Sequence, residues 1–199
     1  LGMREAELFG LSWPAINFER GTLRIFQQLR RARPKPGERQ QFVLQTVKTR
    51  AGARALKLDE DLIELLRAHK ANQGEERALL GDKWRDPWGS LVFTSDTGGP
   101  IFISGLLAHF RGVLKRAELS HIRFHDLRHT AATLMLADGV PLVTVSKVLG
   151  HSSPSITGSI YAHALDESKS EAIAGLSKRL KRPKRRNPSP PENEADGTK

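Results

Sequence analysis

Apolar positions change period along the chain, and the changes mark its elements. Residues 3–11 (M-R-E-A-E-L-F-G-L) place Met3, Leu8 and Leu11 on an apolar helical face, with Arg4 and Glu7 three apart and so on a shared face. Pro14 bars continuation of that helix. The period then drops to two. Ile16–Phe18, Thr22–Gln27, Phe42–Val47 and Arg54–Leu58 are short alternating runs, parted by turn chemistry at Glu19-Arg20-Gly21 and at Thr49-Arg50-Ala51-Gly52, and they predict a small antiparallel sheet. The link from Arg30 to Gln40, rich in Arg, Lys and Pro, reads as an exposed loop. Helical period returns after Asp59, a capping residue, over residues 60–73, with Leu62, Leu65, Leu66 and His69 on one face and His69 as a half-buried packing residue. Residues 74–90 read as a loop in which Trp84 and Trp88 pack locally, Leu91–Thr94 as a short strand, and Ser104 as the cap of a helix reaching about Ala117.

Three helices follow. One runs from His125 to Asp138-Gly139, and one from Pro141 to Leu149 with Gly150 as a left-handed stop. The third is capped by Ser153, has Pro154 in its first turn and carries Tyr161. Gly158 weakens that last helix by roughly 1 kcal/mol relative to alanine. A final amphipathic stretch, about 167–180, aligns Ile173, Leu176 and Leu180. The pattern is that of an α+β chain, mostly α-helical with a small three-stranded antiparallel sheet. It divides into a domain over residues 1–180 and a tail, basic then acidic and without predicted structure, over 181–199.

Charge sharpens this picture. The formal net charge is +10, and half of it lies in residues 178–199, where K-R-L-K-R-P-K-R-R precedes Glu192, Glu194 and Asp196. The body is therefore basic without its tail, which favours polyanionic partners, nucleic acid first. The absence of cysteine excludes disulfides and thiolate metal sites and fits a cytoplasmic setting. No apolar run approaches the ~20 residues that span a bilayer. The chain opens at Leu1, already in mid-pattern for a helix, and reads as an N-terminally truncated segment.

The polar anchors lie between Phe124 and Ala164: His125 with Arg128, then His151, then Tyr161, the only tyrosine. Attack on a phosphodiester requires cations on the non-bridging oxygens, an in-line nucleophile, and an acid for the leaving oxygen. Arginine suits the first task because its fork bonds two oxygens and keeps its charge. His125 and Arg128, three apart, share a helical face; His151 lies just past a helix stop; a tyrosine of ordinary pKa, about 10, needs cationic neighbours or a base to attack.

Five motifs in this order, R-E-A-E-L, V-K-T-R-A-G, H-D-L-R-H-T, L-G-H-S-S-P-S-I-T and Y-A-H, give the chain up to about residue 180 a resemblance to the catalytic domain of tyrosine recombinases, the phage integrase family. The resemblance implies the fold of the DNA breaking-rejoining enzymes and site-specific recombination or integration through a 3′-phosphotyrosyl link, without metal or other cofactor. It implies Arg4 as the first catalytic arginine with Glu7 supporting it, and Lys48 as the acid for the leaving 5′ oxygen. His125 and Arg128 become the box-two histidine and second catalytic arginine, His151 the histidine that hydrogen-bonds the phosphate, and Tyr161 the nucleophile. Arg30, Arg31, Arg33, Lys35, Arg50 and Lys147 are the candidate DNA-binding cations. Partners implied are double-stranded DNA, a homotetramer on paired sites, and an N-terminal core-binding domain that is missing here; the setting is bacterial or phage-encoded and cytoplasmic. His129 and His163 read as structural. Two rivals stand beside this reading. The H-x-x-x-H spacing of His125 and His129 is that of a zinc helix, with Asp126 where a glutamate is usual. Pro141–Ala162 reads as a helix-turn-helix in a non-catalytic DNA-binding fragment.

Overall fold

The computed structural model describes residues 1–32, 41–49 and 51–160. Arg33, Lys35, Arg50, Tyr161, His163, the 167–180 stretch and the basic tail lie outside the described residues.

Helix α1 (Glu5–Phe9) leads through a 3₁₀ turn at Trp13–Ala15 into the β region. Strands β1 (Ile16–Asn17), β2 (Thr22–Ile25) and β5 (Arg54–Lys57) form an antiparallel sheet of order β1-β2-β5. Strands β3 (Gln27–Arg31) and β4 (Phe42–Thr46) form a separate two-stranded sheet. Arg30 and Arg31 thus belong to a strand, where the sequence reading has them opening a loop, because each pairs across to the apolar β4, Arg30 with Val43 and Arg31 with Phe42. The division falls at Phe26. Ile25 pairs with Arg54, Gln27 pairs with Thr46, and Phe26 accepts a hydrogen bond from the Val47 amide. Opposite that one residue the partner chain makes an excursion over residues 47–53, and Lys48 rides on it. The Gly52 amide closes the excursion on the Thr49 carbonyl (3.0 Å) and the Thr49 hydroxyl (3.2 Å).

Helix α2 (Glu60–Leu80) is capped by Asp59, whose carboxylate accepts from the Leu62 amide. It runs past the predicted end, since residues 74–80 continue the backbone ladder although 74–79 are all exposed; Leu79 is 90% exposed. Its buried face is Ile63, Leu66 and, partly, Leu62; Leu65 points to solvent. His69 is half-buried, as expected, stacked between Trp13 and Phe93 and bonded through Nε2 to the Val92 carbonyl. The predicted strand at 91–94 is absent except for a bridge between Ser12 and Leu91. Leu91 and Val92 are fully buried, but side chains serve their carbonyls: Gln73 reaches both, and His69 reaches that of Val92. Helix α3 (Ile103–Arg116) begins one residue before Ser104, with Phe102 at its cap.

Helices α4 (Asp126–Ala137), α5 (Leu142–Leu149) and α6 (Pro154–Ile160) follow the predicted pattern. Three apolar clusters result. One joins β1, β2 and β5 to α2, one lies between β3–β4, α1 and α3, and a small one (Ala132, Leu136, Val145, Leu149) is private to α4 and α5. No helix among the described residues is long and apolar enough to cross a membrane.

Candidate active site

The site forms where the end of α5 meets the rest of the molecule. A helix leaves its last carbonyls without intrahelical partners. Here Gly150 takes a left-handed conformation (φ +69°), and the amides of Gly150 and His151 turn back onto Lys147 and Ser146. The next carbonyls are met by guanidinium groups from three distant places. Arg54 Nε donates to Val148 O (2.6 Å), Arg128 Nη2 to Leu149 O (2.7 Å), and Arg4 Nη2 to Gly150 O (2.8 Å). The negative end of the helix dipole favours this gathering of positive charge. A side chain at residue 150 would place its Cβ 2.6 Å from Arg54 Nη1, so glycine is required by space as well as by backbone angle.

Glu7 is the counter-charge. It is 2% exposed, and each of its oxygens bonds both Arg4 and Arg54. Burial pushes its carboxyl up, but the hydrogen bonds from Arg54 and Arg4 together outweigh that cost and hold it below the ordinary carboxylate range. Arg128 is buried and also donates to the Gly2 carbonyl. Arg4 keeps 39% of its side chain exposed.

His151 follows at once on this corner. Its Nδ1 is 2.8 Å from the hydroxyl of Thr157, a fully buried residue of α6, and its Nε2 has no protein hydrogen-bond partner among the described residues. Desolvation, then the charges of Arg128, Arg4 and Arg54, push its pKa down to about 4. It is therefore a neutral imidazole near pH 7. Ser153 caps α6 through its hydroxyl on the Ser155 amide, which fixes the helix bearing Thr157.

His125 sits at the cap of α4, more exposed, with its ring 5.2 Å from that of His129 and nearly perpendicular to it. Desolvation first, then His129 and Arg128, lower its pKa. Asp126 is held by Arg123 through both its oxygens. Among the described residues no group of three or more His, Cys, Asp or Glu is placed to hold a metal.

Lys48 is exposed and lines a cavity of about 190 Å³ together with Arg4, Glu7, Gln28 and Arg30. The excursion thus faces the first arginine across open space. Arg31 lies apart, over the rings of Phe42 and Phe102, and Lys147 is an exposed residue of α5. Two residues of the corner escape the sequence reading. Arg54 looks like an ordinary strand cation until Glu7 meets it from 47 positions away. Thr157 lies six residues from His151 across a loop and a helix start, a spacing that fits no single element.

The chain is similar to known proteins along most of its length. A model of the phage integrase family matches residues 1–168. A XerC-like tyrosine recombinase of Caldanaerobacter subterraneus subsp. tengcongensis is 36% identical over 179 residues, covering 88% of this chain and 46% of that protein. A transposase from transposon Tn916 of Enterococcus faecalis is 27% identical over 183 residues, covering 89% of this chain and 43% of that one. The chain thus spans about half the length of the curated relatives it matches. Among solved structures, the Tn1549 transposon integrase in complex with a circular intermediate DNA superposes with a TM-score of 0.67 at 22% identity, covering 88% of this chain and 55% of that one, which is a likeness of fold. The family model and these relatives match along nearly the whole described length, and the chain belongs to the phage integrase family.

Proposed function

We propose that this chain is the catalytic part, over residues 1–180, of an enzyme that cuts and rejoins DNA at specific sites through a covalent phosphotyrosine. The observation that carries the reading is the convergence of Arg4 and Arg128, from two separate parts of the sequence, on the carbonyls of Gly150 and Leu149 immediately before His151. In this reading Arg4 and Arg128 bind the non-bridging oxygens of the scissile phosphate, His151 contacts the same phosphate through Nε2, and His125 borders it. Glu7 holds Arg4 in place. The charges spread over the phosphate in the transition state meet donors already fixed in position, which is where such sites gain most. Tyr161 attacks phosphorus, forming a 3′-phosphotyrosyl bond and releasing the 5′ oxygen. Lys48 supplies the proton that oxygen needs. Reversal by another 5′ hydroxyl restores the phosphodiester and frees the tyrosine, with no net change in bond type.

Arg30, Arg33, Lys35, Arg50 and Lys147 then contact the DNA backbone, Arg31 with them, and the tail over 181–199 adds basic charge. Assembly as a tetramer on two DNA sites, with a core-binding domain on the opposite face of the duplex, completes the proposed machine, working in a bacterial cytoplasm. The test is covalency. On a nicked duplex whose cleaved fragment diffuses away, the chain is expected to form an adduct that survives denaturation and is lost in Tyr161→Phe. DNA binding without adduct in either protein would leave only the non-catalytic binding module.

A further inference from the structure

Arg54 differs from the other arginines of the corner in what it has left to give. Its side chain is 7% exposed, against 39% for Arg4. A guanidinium carries five N–H donors. Arg54 spends one on Val148 O (2.6 Å), two on the oxygens of Glu7 (3.1 and 2.8 Å), and one on Gly52 O (3.0 Å). Arg4 spends two side-chain donors among the described residues, on Glu7 and on Gly150 O. Arg4 can still take a phosphate; Arg54 is committed to the protein. Its partners lie on three different pieces: Glu7 on the helix behind Arg4, Val148 at the end of the helix that presents His151, and Gly52 on the excursion that carries Lys48.

Resting on the recombinase reading above, we infer that Arg54 is the positioning residue of the site, tying the first arginine, the phosphate-facing histidine and the leaving-group lysine to one planar group. Three rigid pieces attached at one fork share one frame, so small displacements of any of them are resisted by all. Errors of about 1 Å in such frames cost on the order of 10²-fold in rate. Lysine keeps the charge at this position but not the fork, and so restores only part of it.

The experiment compares R54K and R54Q with the wild-type chain on the nicked duplex, protein in excess, reading the rate constant of adduct formation and the DNA dissociation constant separately. The expected result for R54Q is a rate lower by about 10²-fold with DNA affinity within about twofold, and partial recovery in R54K. Without Arg54, burial of Glu7 is opposed by Arg4 alone, and its pKa rises. Adduct formation by R54Q then gains an acid limb, falling as the pH drops, that wild type lacks and that R54Q/E7Q loses. Wild-type adduct formation with R54Q at an equal rate and no acid limb overturns the assignment and leaves the recombinase reading standing. Parallel loss of DNA binding, cooperative melting and rate in both R54Q and R54K makes Arg54 a structural residue only and overturns it too. No adduct from the wild-type chain removes the recombinase reading, and the assignment with it.

Discussion

The arginine corner and the Lys48 excursion sit on either side of one cavity and are built by opposite means. In the corner Glu7 faces two arginines, and three helix-end carbonyls face three guanidinium groups. On the excursion the lysine stands in solvent on a short turn closed by Thr49 and Gly52. Glu7, Arg128 and the side chain of Arg54 are buried and held by several partners each, with Arg4 left partly open. Lys48, which the proposed function makes the proton donor, stands on an exposed turn whose end, Gly52, is held by Arg54. Buried ion pairs are not reliable sources of stability, because desolvation offsets attraction. Their return here is geometry.

The sharpest way to break this contrast is to remove a corner arginine. Arg128→Ala leaves the carbonyls of Leu149 and Gly2 without that donor and removes a phosphate ligand. Adduct formation should fall by about 10³-fold, and chemical denaturation should show a loss of about 2–4 kcal/mol. Lys48→Ala should cost about 10²-fold in adduct rate with ordinary DNA, with stability unchanged within about 0.5 kcal/mol. Replacing the bridging 5′ oxygen by sulfur, a leaving group that needs no proton, should restore the Lys48→Ala rate but not that of Arg128→Ala. Equal rescue of both would erase the division of labour. Gly150→Ala should lower stability by about 1–3 kcal/mol through the left-handed backbone and the clash with Arg54, visible as an earlier denaturation midpoint.

The smallest effect concerns pH. His151 is held at about 4 when folded, below its ordinary 6.5. Between those values the unfolded chain binds the proton and the folded chain does not, so stability falls as pH drops through that window and is regained on raising it. Melting curves from pH 7 to pH 4 should show a shallower loss for His151→Gln than for wild type. An identical slope would mean that the imidazole is not desolvated as the structure places it.

Much of this was legible in the residues themselves. The His125–Arg128 face and the glycine stop before His151 are local signals that local structure obeys. Arg4 and Glu7 do meet, but across a helix cap, in the manner of a capping box. Glu7 accepts from the amide of Arg4, the extended cap of a helix shorter than the predicted 3–11. What stayed hidden was settled at long range. Arg54 needed Glu7 from another element. β3 needed β4 to turn a run that includes two arginines into a strand. The apolar stretch at 91–94 reads as a strand because it is buried, but Gln73 and His69 took the carbonyls a strand neighbour would have taken. Residues 74–80 carry no apolar stripe, and their helix is an extension of one nucleated earlier at Asp59.

The interruption opposite Phe26 bears on how such a chain can vary. Both flanking registers are pinned, Ile25 on Arg54 and Gln27 on Thr46, so the length of what lies between them is invisible to either sheet. An insertion near Ala51 adds the slow logarithmic cost of a longer loop, about 0.6 kcal/mol for each doubling, and also parts the Thr49–Gly52 closure. The fold therefore carries Lys48 on a segment whose length can change at that added cost while the sheet registers on either side keep their dimensions.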